Sequence, residues 1–145
     1  MSTLKADTAT FLDISAQLLG AGYRVQFRAH GTSMRPAIRH GETVIVEAVE
    51  PAAVRAGDIL LYRQRQRPLA HRVVQIHKDG DAVAAFVLRG DAKAGCDAPV
   101  RPEQVLGRVL STQTLGTGLI LSYLWSWCGL ARRHHFVAPR AIRQT

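Results

Sequence analysis

The stretch Gly31-Thr32-Ser33-Met34-Arg35-Pro36 places a serine where the chain suits neither a helix nor a strand. Gly31 permits backbone angles that other residues avoid. Pro36 fixes its own φ angle and biases Arg35 toward extended geometry. The pattern therefore predicts a stiff turn that presents the Ser33 hydroxyl for chemistry.

Three more motifs follow this turn along the chain. They are Gly57-Asp58-Ile59-Leu60-Leu61-Tyr62, Ala70-His71-Arg72-Val73-Val74 and Arg89-Gly90-Asp91, with Asp97 after the last. In this order and spacing, from about Arg24 to Val109, the chain resembles the signal peptidase superfamily of serine peptidases, which includes the LexA-like self-cleaving repressors. Bacterial leader peptidases and LexA-like proteins have a lysine where this chain has His71. A histidine there is similar to the archaeal, endoplasmic-reticulum and sporulation-type signal peptidases.

The resemblance implies that Ser33 is the nucleophile and His71 the general base, with Asp97 or Asp91 orienting the imidazole. A serine hydroxyl is a weak nucleophile until a base within hydrogen-bond reach takes its proton. Imidazole suits that role because it accepts and returns a proton near neutral pH. The resemblance favours Asp97 as the direct partner. Asp91 would then shape the loop or support the contact between Asp97 and His71 without touching the imidazole itself.

The same resemblance bears on the residues around the nucleophile. The backbone N–H of Ser33 is the obvious donor to an oxyanion. Many signal peptidases add a hydroxyl two residues before the nucleophile, but Gly31 stands there, which leaves the backbone alone or Thr32 to help. Met34 is expected in a substrate groove, with an ordinary core methionine as the alternative. A substrate is expected to add as an extended strand beside the serine turn, with small residues before the cleaved bond.

Composition is that of one folded domain with one core. The chain has 145 residues, of which 47% are hydrophobic and 21% charged, and this is ordinary for a globular protein. A net charge of +8 favours anionic partners, but no basic run is interleaved with aromatics, so nucleic-acid binding is not predicted. The two cysteines lack a disulfide or C-x-x-C pattern. No histidine shows metal-ligand spacing, and no metal or cofactor is expected.

Hydrophobic periodicity predicts one helix and then strands. The helix covers Asp7 to Leu19, with Phe11, Ile14 and Leu18 on its apolar stripe and Leu12 and Leu19 beside them. The predicted strands are Tyr23 to Ala29, Thr43 to Val49, Ile59 to Tyr62, Leu69 to His77, Ala82 to Leu88 and Val105 to Ser111. Short strands without intervening helices favour a mainly β fold, a small closed or partly open antiparallel barrel or sandwich.

Residues 115–131 carry no charge, include Trp125 and Trp127, and precede Arg132-Arg133-His134-His135. They are interpreted as a buried core or dimer helix, or as an in-plane helix that holds residues 115–135 on an anionic membrane surface. A helix that crosses the membrane is the least favoured interpretation, because 17 residues is at the short limit for a span. The predicted organisation is an amphipathic helix (1–22), a catalytic β domain (23–112) and an apolar helix with a basic tail (113–145). The N-terminus lacks an export-signal pattern, so a cytoplasmic location is expected, with peripheral attachment at the inner membrane face.

These observations favour a serine endopeptidase that acts on a peptide or protein substrate without a cofactor. Two alternatives remain open. The first is a LexA-like protein that cuts its own chain, for which Ala21-Gly22 is the only plausible segment upstream of the serine. The second is a catalytically silent peptide-binding or membrane-peripheral module. The sequence does not indicate an oligomeric state.

Overall fold

A helix opens the part of the chain that the computed structural model describes, which comprises residues 7–113, 135–137 and 142–143. Helix α1 spans Thr8–Gly20, and Oδ1 of Asp7 accepts the N–H of Thr10 at 2.8 Å. This cap satisfies a backbone donor that has no partner inside the helix, which explains why the helix begins there. The predicted helix is confirmed to within one residue at each end.

The apolar stripe of α1 differs from the predicted one. Its buried residues are Phe11, Leu12, Ser15 and Leu19, whereas Ile14 is 40% exposed. At about 100° per residue these four side chains share one face of the helix, and Ile14 falls on the flank of that face. The pattern therefore predicted an amphipathic helix correctly but centred its buried face one step away.

All six predicted strands are present, with ends that differ by zero to two residues. They are β1 (Arg24–His30), β2 (Thr43–Glu47), β3 (Ile59–Gln64), β4 (Arg67–Asp79), β5 (Ala82–Arg89) and β6 (Val105–Gln113). Two short strands that the sequence pattern did not signal follow, β7 (His135–Val137) and β8 (Ile142–Arg143). Short 3₁₀ turns at Pro51–Ala53 and Pro102–Gln104 precede β3 and β6.

The strands form one sheet in the order β5-β4-β3-β6-β2-β1-β7, and β8 also pairs with β1. Pairs among β1 to β6 are antiparallel, while β7 and β8 run parallel to β1. The mainly β, largely antiparallel prediction is confirmed. The sheet is not a closed barrel, because no pairing among the described strands joins its two edges.

The sheet must curve strongly to form the candidate site. Strands β1 and β4 are four steps apart in the sheet, and a flat sheet would separate them by about 19 Å at the usual strand spacing. Nevertheless, Ser33 just after β1 contacts His71 on β4. Register shifts in β2, β3 and β4 mark bulges, which increase local bending.

Two hydrophobic clusters replace the single core that composition suggested. The first includes Phe11, Leu19, Val25, Phe27, Ala29, Met34, Ile38, Val44, Val46 and Leu61. The second includes Val54, Leu60, Tyr62, Leu69, Val73, Phe86, Leu88 and Val100. Strand β3 contributes Leu61 to one cluster and its two neighbours to the other, because successive side chains of a strand point to opposite faces. Both faces of the sheet are therefore covered near β3.

The predicted apolar helix over 115–131 lies outside the described residues, as does nearly all of the proposed membrane-contacting segment 115–135. Among the helices of the described part, none has the length and apolar character needed to cross a bilayer.

Candidate active site

The turn that carries Ser33 follows β1 directly. Gly31 has a φ angle of +100°, a conformation that only glycine adopts readily. Its N–H donates to Nδ1 of His40 at 3.1 Å. The backbone N–H of Ile38 donates to the carbonyl of Met34 at 2.9 Å. These bonds hold both ends of the predicted turn, and the Arg35–Pro36 peptide bond is cis.

The candidate base lies in the middle of β4 on the face of the second hydrophobic cluster. His71 pairs with Leu60 across the strands, and its side chain has no exposed surface. Its neighbours two positions away, Leu69 and Val73, are core residues of the same cluster. Strand alternation thus points the imidazole inward, toward the serine turn.

Ser33 and His71 meet despite 38 intervening residues. Oγ of Ser33 lies 3.0 Å from Nε2 of His71, and Ser33 is only 4% exposed. That separation is within the range in which an imidazole can accept a hydroxyl proton. Both side chains are buried, and electrostatic interactions between buried polar groups are stronger than in water.

Asp97 completes the line of contacts behind the imidazole. Its Oδ2 is hydrogen-bonded to Nδ1 of His71, and its backbone N–H donates to the carbonyl of Leu88 at 2.8 Å. An ionised carboxylate can only accept, so Nδ1 carries the proton of the neutral ring. Nε2 is then left as the acceptor that faces Ser33.

Asp91 lies elsewhere, although the sequence left it open as the orienting acid. Its two carboxylate oxygens accept from Nε and Nη2 of Arg72 at 2.8 and 2.7 Å. Nη1 of Arg72 donates to the carbonyl of Gly57 at 2.8 Å. Hydrogen bonding to Asp91 raises the pKa of Arg72 above its ordinary value. Asp97 therefore contacts His71, whereas Asp91 binds Arg72.

The loop after β5 packs tightly on the serine turn. The N–H of Ala92 donates to the carbonyl of Ser33 at 2.8 Å. Gly90 is buried at the same contact, where a Cβ would lie 2.7 Å from that carbonyl oxygen and 3.2 Å from Nε2 of His71. Arg72, which follows His71 on β4, binds Asp91 of the same loop. The loop after β5 is therefore bonded both to the serine turn and to the strand that carries His71.

Sequence reasoning missed Tyr62 as a site residue. Its hydroxyl donates to Oδ2 of Asp97 at 3.0 Å and lies 3.3 Å from Nδ1 of His71. Burial first, and then the charge and hydrogen bond of Asp97, raise the pKa of Tyr62 far above its ordinary value. Tyr62 lies two residues from Leu60, the cross-strand partner of His71, and therefore on the same face, but this register is a property of the folded sheet that the sequence pattern does not give.

The remaining predicted residues are Thr32 and Met34. Thr32 is exposed, and its carbonyl accepts the N–H of Arg35 at 3.2 Å. Met34 has no exposed surface and belongs to the first hydrophobic cluster. Its position matches the alternative of an ordinary core methionine rather than a residue that lines a substrate groove.

No cation-binding cluster accompanies these residues. Within the described ranges, no three His, Cys, Asp or Glu side chains are grouped so that they could hold a metal ion. The chemistry that this arrangement can support is proton transfer between a hydroxyl and an imidazole that a carboxylate orients.

Comparison with known proteins gives a partial match. No family model matches the chain. It is 30% identical over 61 residues to the "Signal peptidase complex catalytic subunit SEC11C" of Homo sapiens and of Mus musculus. The match covers 41% of this chain and 32% of each relative, so the chain spans about a third of the length of the curated relatives it matches. Over that stretch the chain is similar to the catalytic subunit of a signal peptidase complex.

Proposed function

We propose that this protein is a serine endopeptidase with Ser33 as nucleophile, His71 as general base and Asp97 as the acid that orients the imidazole. The observation that carries the proposal is the 3.0 Å approach of Ser33 Oγ to His71 Nε2, with Asp97 on the opposite nitrogen. Similarity to a signal peptidase catalytic subunit supports a peptidase.

The chemistry runs through an acyl-enzyme. Nε2 of His71 takes the Ser33 proton as Oγ attacks the peptide carbonyl, and the oxyanion forms next to the backbone N–H of Ser33, with the Thr32 hydroxyl as the second candidate donor. His71 then gives the proton to the leaving amine as the C–N bond breaks. Water, deprotonated by His71, cleaves the resulting ester and restores the serine. General-base assistance of this kind is worth about 10² to 10⁴ in rate.

The proposed substrate is an extended peptide with small residues before the cleaved bond, such as a leader peptide. An extended substrate can pair its backbone with a strand next to the serine turn. The preference for small residues rests on the resemblance to signal peptidases.

The deciding experiment is proteolysis of a synthetic leader containing Ala-x-Ala, followed by mass spectrometry. Ser33→Ala and His71→Ala are each expected to abolish cleavage while circular dichroism and thermal unfolding stay close to wild type. His77→Ala is the matched control, because His77 is a histidine of the same strand at its exposed end. Full activity in either site variant would remove these assignments.

Self-cleavage at Ala21-Gly22 is the first alternative to this function, and the fold argues against cleavage within a single molecule. This segment precedes β1, and Ser33 follows its far end. A strand of seven residues extends about 23 Å, so cleavage within one molecule would require β1 to leave the sheet. Incubation at alkaline pH followed by mass measurement tests this point, since a product starting at Gly22, formed at a rate independent of protein concentration, would support the rival.

A non-catalytic peptide-binding module is the second candidate, and two observations favour it. Ser33 is only 4% exposed, and Gly31 offers no side-chain hydroxyl to an oxyanion. Saturable peptide binding by wild-type protein, together with absence of cleavage and equal binding by Ser33→Ala, would favour this function over the peptidase.

A further inference from the structure

Tyr62 lies at the junction between the candidate base and its carboxylate. Its ring is fully buried on β3, and its Oη is 3.0 Å from Asp97 Oδ2 and 3.3 Å from His71 Nδ1. The hydroxyl therefore contacts both members of the pair on the side away from Ser33. Packing alone does not require a hydroxyl here, because phenylalanine would fill nearly the same volume.

The direction of these hydrogen bonds follows from the chemistry of the groups. Since burial beside Asp97 raises the pKa of Tyr62, the phenol stays protonated at neutral pH. A phenol has one hydrogen to give, and the carboxylate can only accept it. The O–H therefore points to Oδ2 of Asp97, which leaves the oxygen lone pairs facing Nδ1–H of His71.

This arrangement restrains both partners. Oδ2 of Asp97 accepts two hydrogen bonds, one from Nδ1 of His71 and one from Tyr62. A half-turn of the imidazole would put carbon atoms where both nitrogens now lie, and the contacts with Asp97, Tyr62 and Ser33 would be lost together. Hydrogen bonds that involve an ionised partner are about twice as strong as neutral ones.

We propose that the Tyr62 hydroxyl is a positioning group that fixes the Asp97 carboxylate and, through it, the ring orientation and tautomer of His71. It touches no reacting atom. This inference rests on the proposed function, but what it claims about His71 can be measured in the resting protein without any substrate.

The first test compares Tyr62→Phe with wild type on the Ala-x-Ala leader. We expect kcat to fall about tenfold to a hundredfold, the usual effect of one charge-assisted hydrogen bond, with KM changed less than about twofold. Tyr23→Phe removes a hydroxyl from a 39% exposed tyrosine next to β1 and serves as the matched control. A kcat equal to that of Tyr23→Phe would overturn the proposal.

A double-mutant cycle with Asp97→Asn tests whether Tyr62 acts through that carboxylate. If it does, Tyr62→Phe costs little further activity once Asp97 is changed. If the two losses multiply in full, the hydroxyl does not act through Asp97 and the proposal is wrong.

The substrate-free test is the low-field proton NMR signal of His71 Nδ1–H, assigned as the signal that disappears in His71→Ala. We expect Tyr62→Phe to move this signal upfield and to speed its exchange with water, while Tyr23→Phe leaves both unchanged. An unchanged signal in Tyr62→Phe overturns the proposal. Absence of cleavage by wild-type protein together with a moved signal would instead sink the peptidase function and leave the positioning of His71 by Tyr62 in place.

Discussion

Gly90 lies so close to Ser33 that the two backbones leave no room for a side chain between them. A Cβ on Gly90 would come within 2.7 Å of the Ser33 carbonyl oxygen and 3.2 Å of Nε2 of His71. The obstructing atom at the shorter distance belongs to the backbone, which cannot rotate away as a flexible side chain can. Glycine at this position is therefore a condition for the contact between hydroxyl and imidazole.

Gly90→Ala is expected to lower kcat/KM by about a hundredfold, because displacement of a reacting group by about 1 Å has an effect of that size. Gly95→Ala is the control, since Gly95 belongs to the same loop and an added Cβ meets nothing within 4 Å. Peptide cleavage and thermal unfolding of both variants provide the measurement. Equal activity of the two variants would contradict the close packing described here.

Asp97→Asn and Asp91→Asn should distinguish the roles of the two acids by their effects on kcat. Asp97→Asn is expected to reduce kcat by about 10² to 10⁴, because an amide can donate to Nδ1 and so favours the wrong tautomer. Asp91→Asn removes half of an ion pair with Arg72 that is partly open to solvent, and it should change kcat by less than about tenfold. Steady-state kinetics on folded samples measures both effects. A larger loss of kcat in Asp91→Asn would reverse the assignment.

Tyr62 should make the free energy of unfolding depend on pH in alkaline solution. Its pKa is raised above the ordinary value of 10.0 in the folded protein, so above that pH the unfolded chain has released a proton that the folded chain keeps. The stabilisation is complete below pH 10 and decreases as pH rises, by about 1.4 kcal/mol per pH unit.

Urea unfolding at several pH values between about 9 and 11.5 measures this dependence. Tyr62→Phe lacks the titrating phenol, so its stability should fall less steeply over this range and the gap to wild type should narrow. Parallel curves for wild type and Tyr62→Phe would show that the phenol ionises as easily in the folded state as in the unfolded one.

Gly107→Ala should affect stability. A Cβ on Gly107 would lie 2.4 Å from the carbonyl oxygen of Glu47 and 2.6 Å from Cγ1 of Val46, so β6 and β2 would have to move apart. We expect a loss of about 1–3 kcal/mol in the free energy of unfolding, measured by urea titration. Gly20→Ala, at the open end of α1, should stay within about 0.5 kcal/mol of wild type. A similar effect of the two changes would be inconsistent with the described packing of β6 on β2.

Strand existence was readable from the sequence because alternation of apolar and polar residues is a local property. The pattern in β1 alternates over its whole length, and the Gly-Asp pair before β3 marks a turn. The ends of β4 were less predictable. The strand extends two residues beyond the predicted segment at each end, to Arg67 and Asp79, because pairing with β3 and β5 continues through a proline and charged residues that do not extend the alternating hydrophobic pattern.

The candidate site was likewise predictable from the sequence only in part. The resemblance to signal peptidases nominated Ser33, His71 and two acids in the loop that follows β5, and it favoured Asp97 over Asp91 as the partner of His71. In the structure the guanidinium of Arg72 binds Asp91, and Asp97 contacts His71. Tyr62 was overlooked because its role depends on the register between β3 and β4, which places it diagonally across from His71.

The sequence by itself determined the helix, six strands, the stiff serine turn and the kinds of side chain available for chemistry, because each of these follows from local conformational preference and periodicity. Tertiary structure alone decided that the sheet curves enough to bring the turn after β1 against the middle of β4, that Tyr62 contacts both Asp97 and His71, and that Met34 is buried. Those outcomes depend on which surfaces pack together and which polar groups must find partners once water is excluded, and residues far apart in the chain settle them jointly.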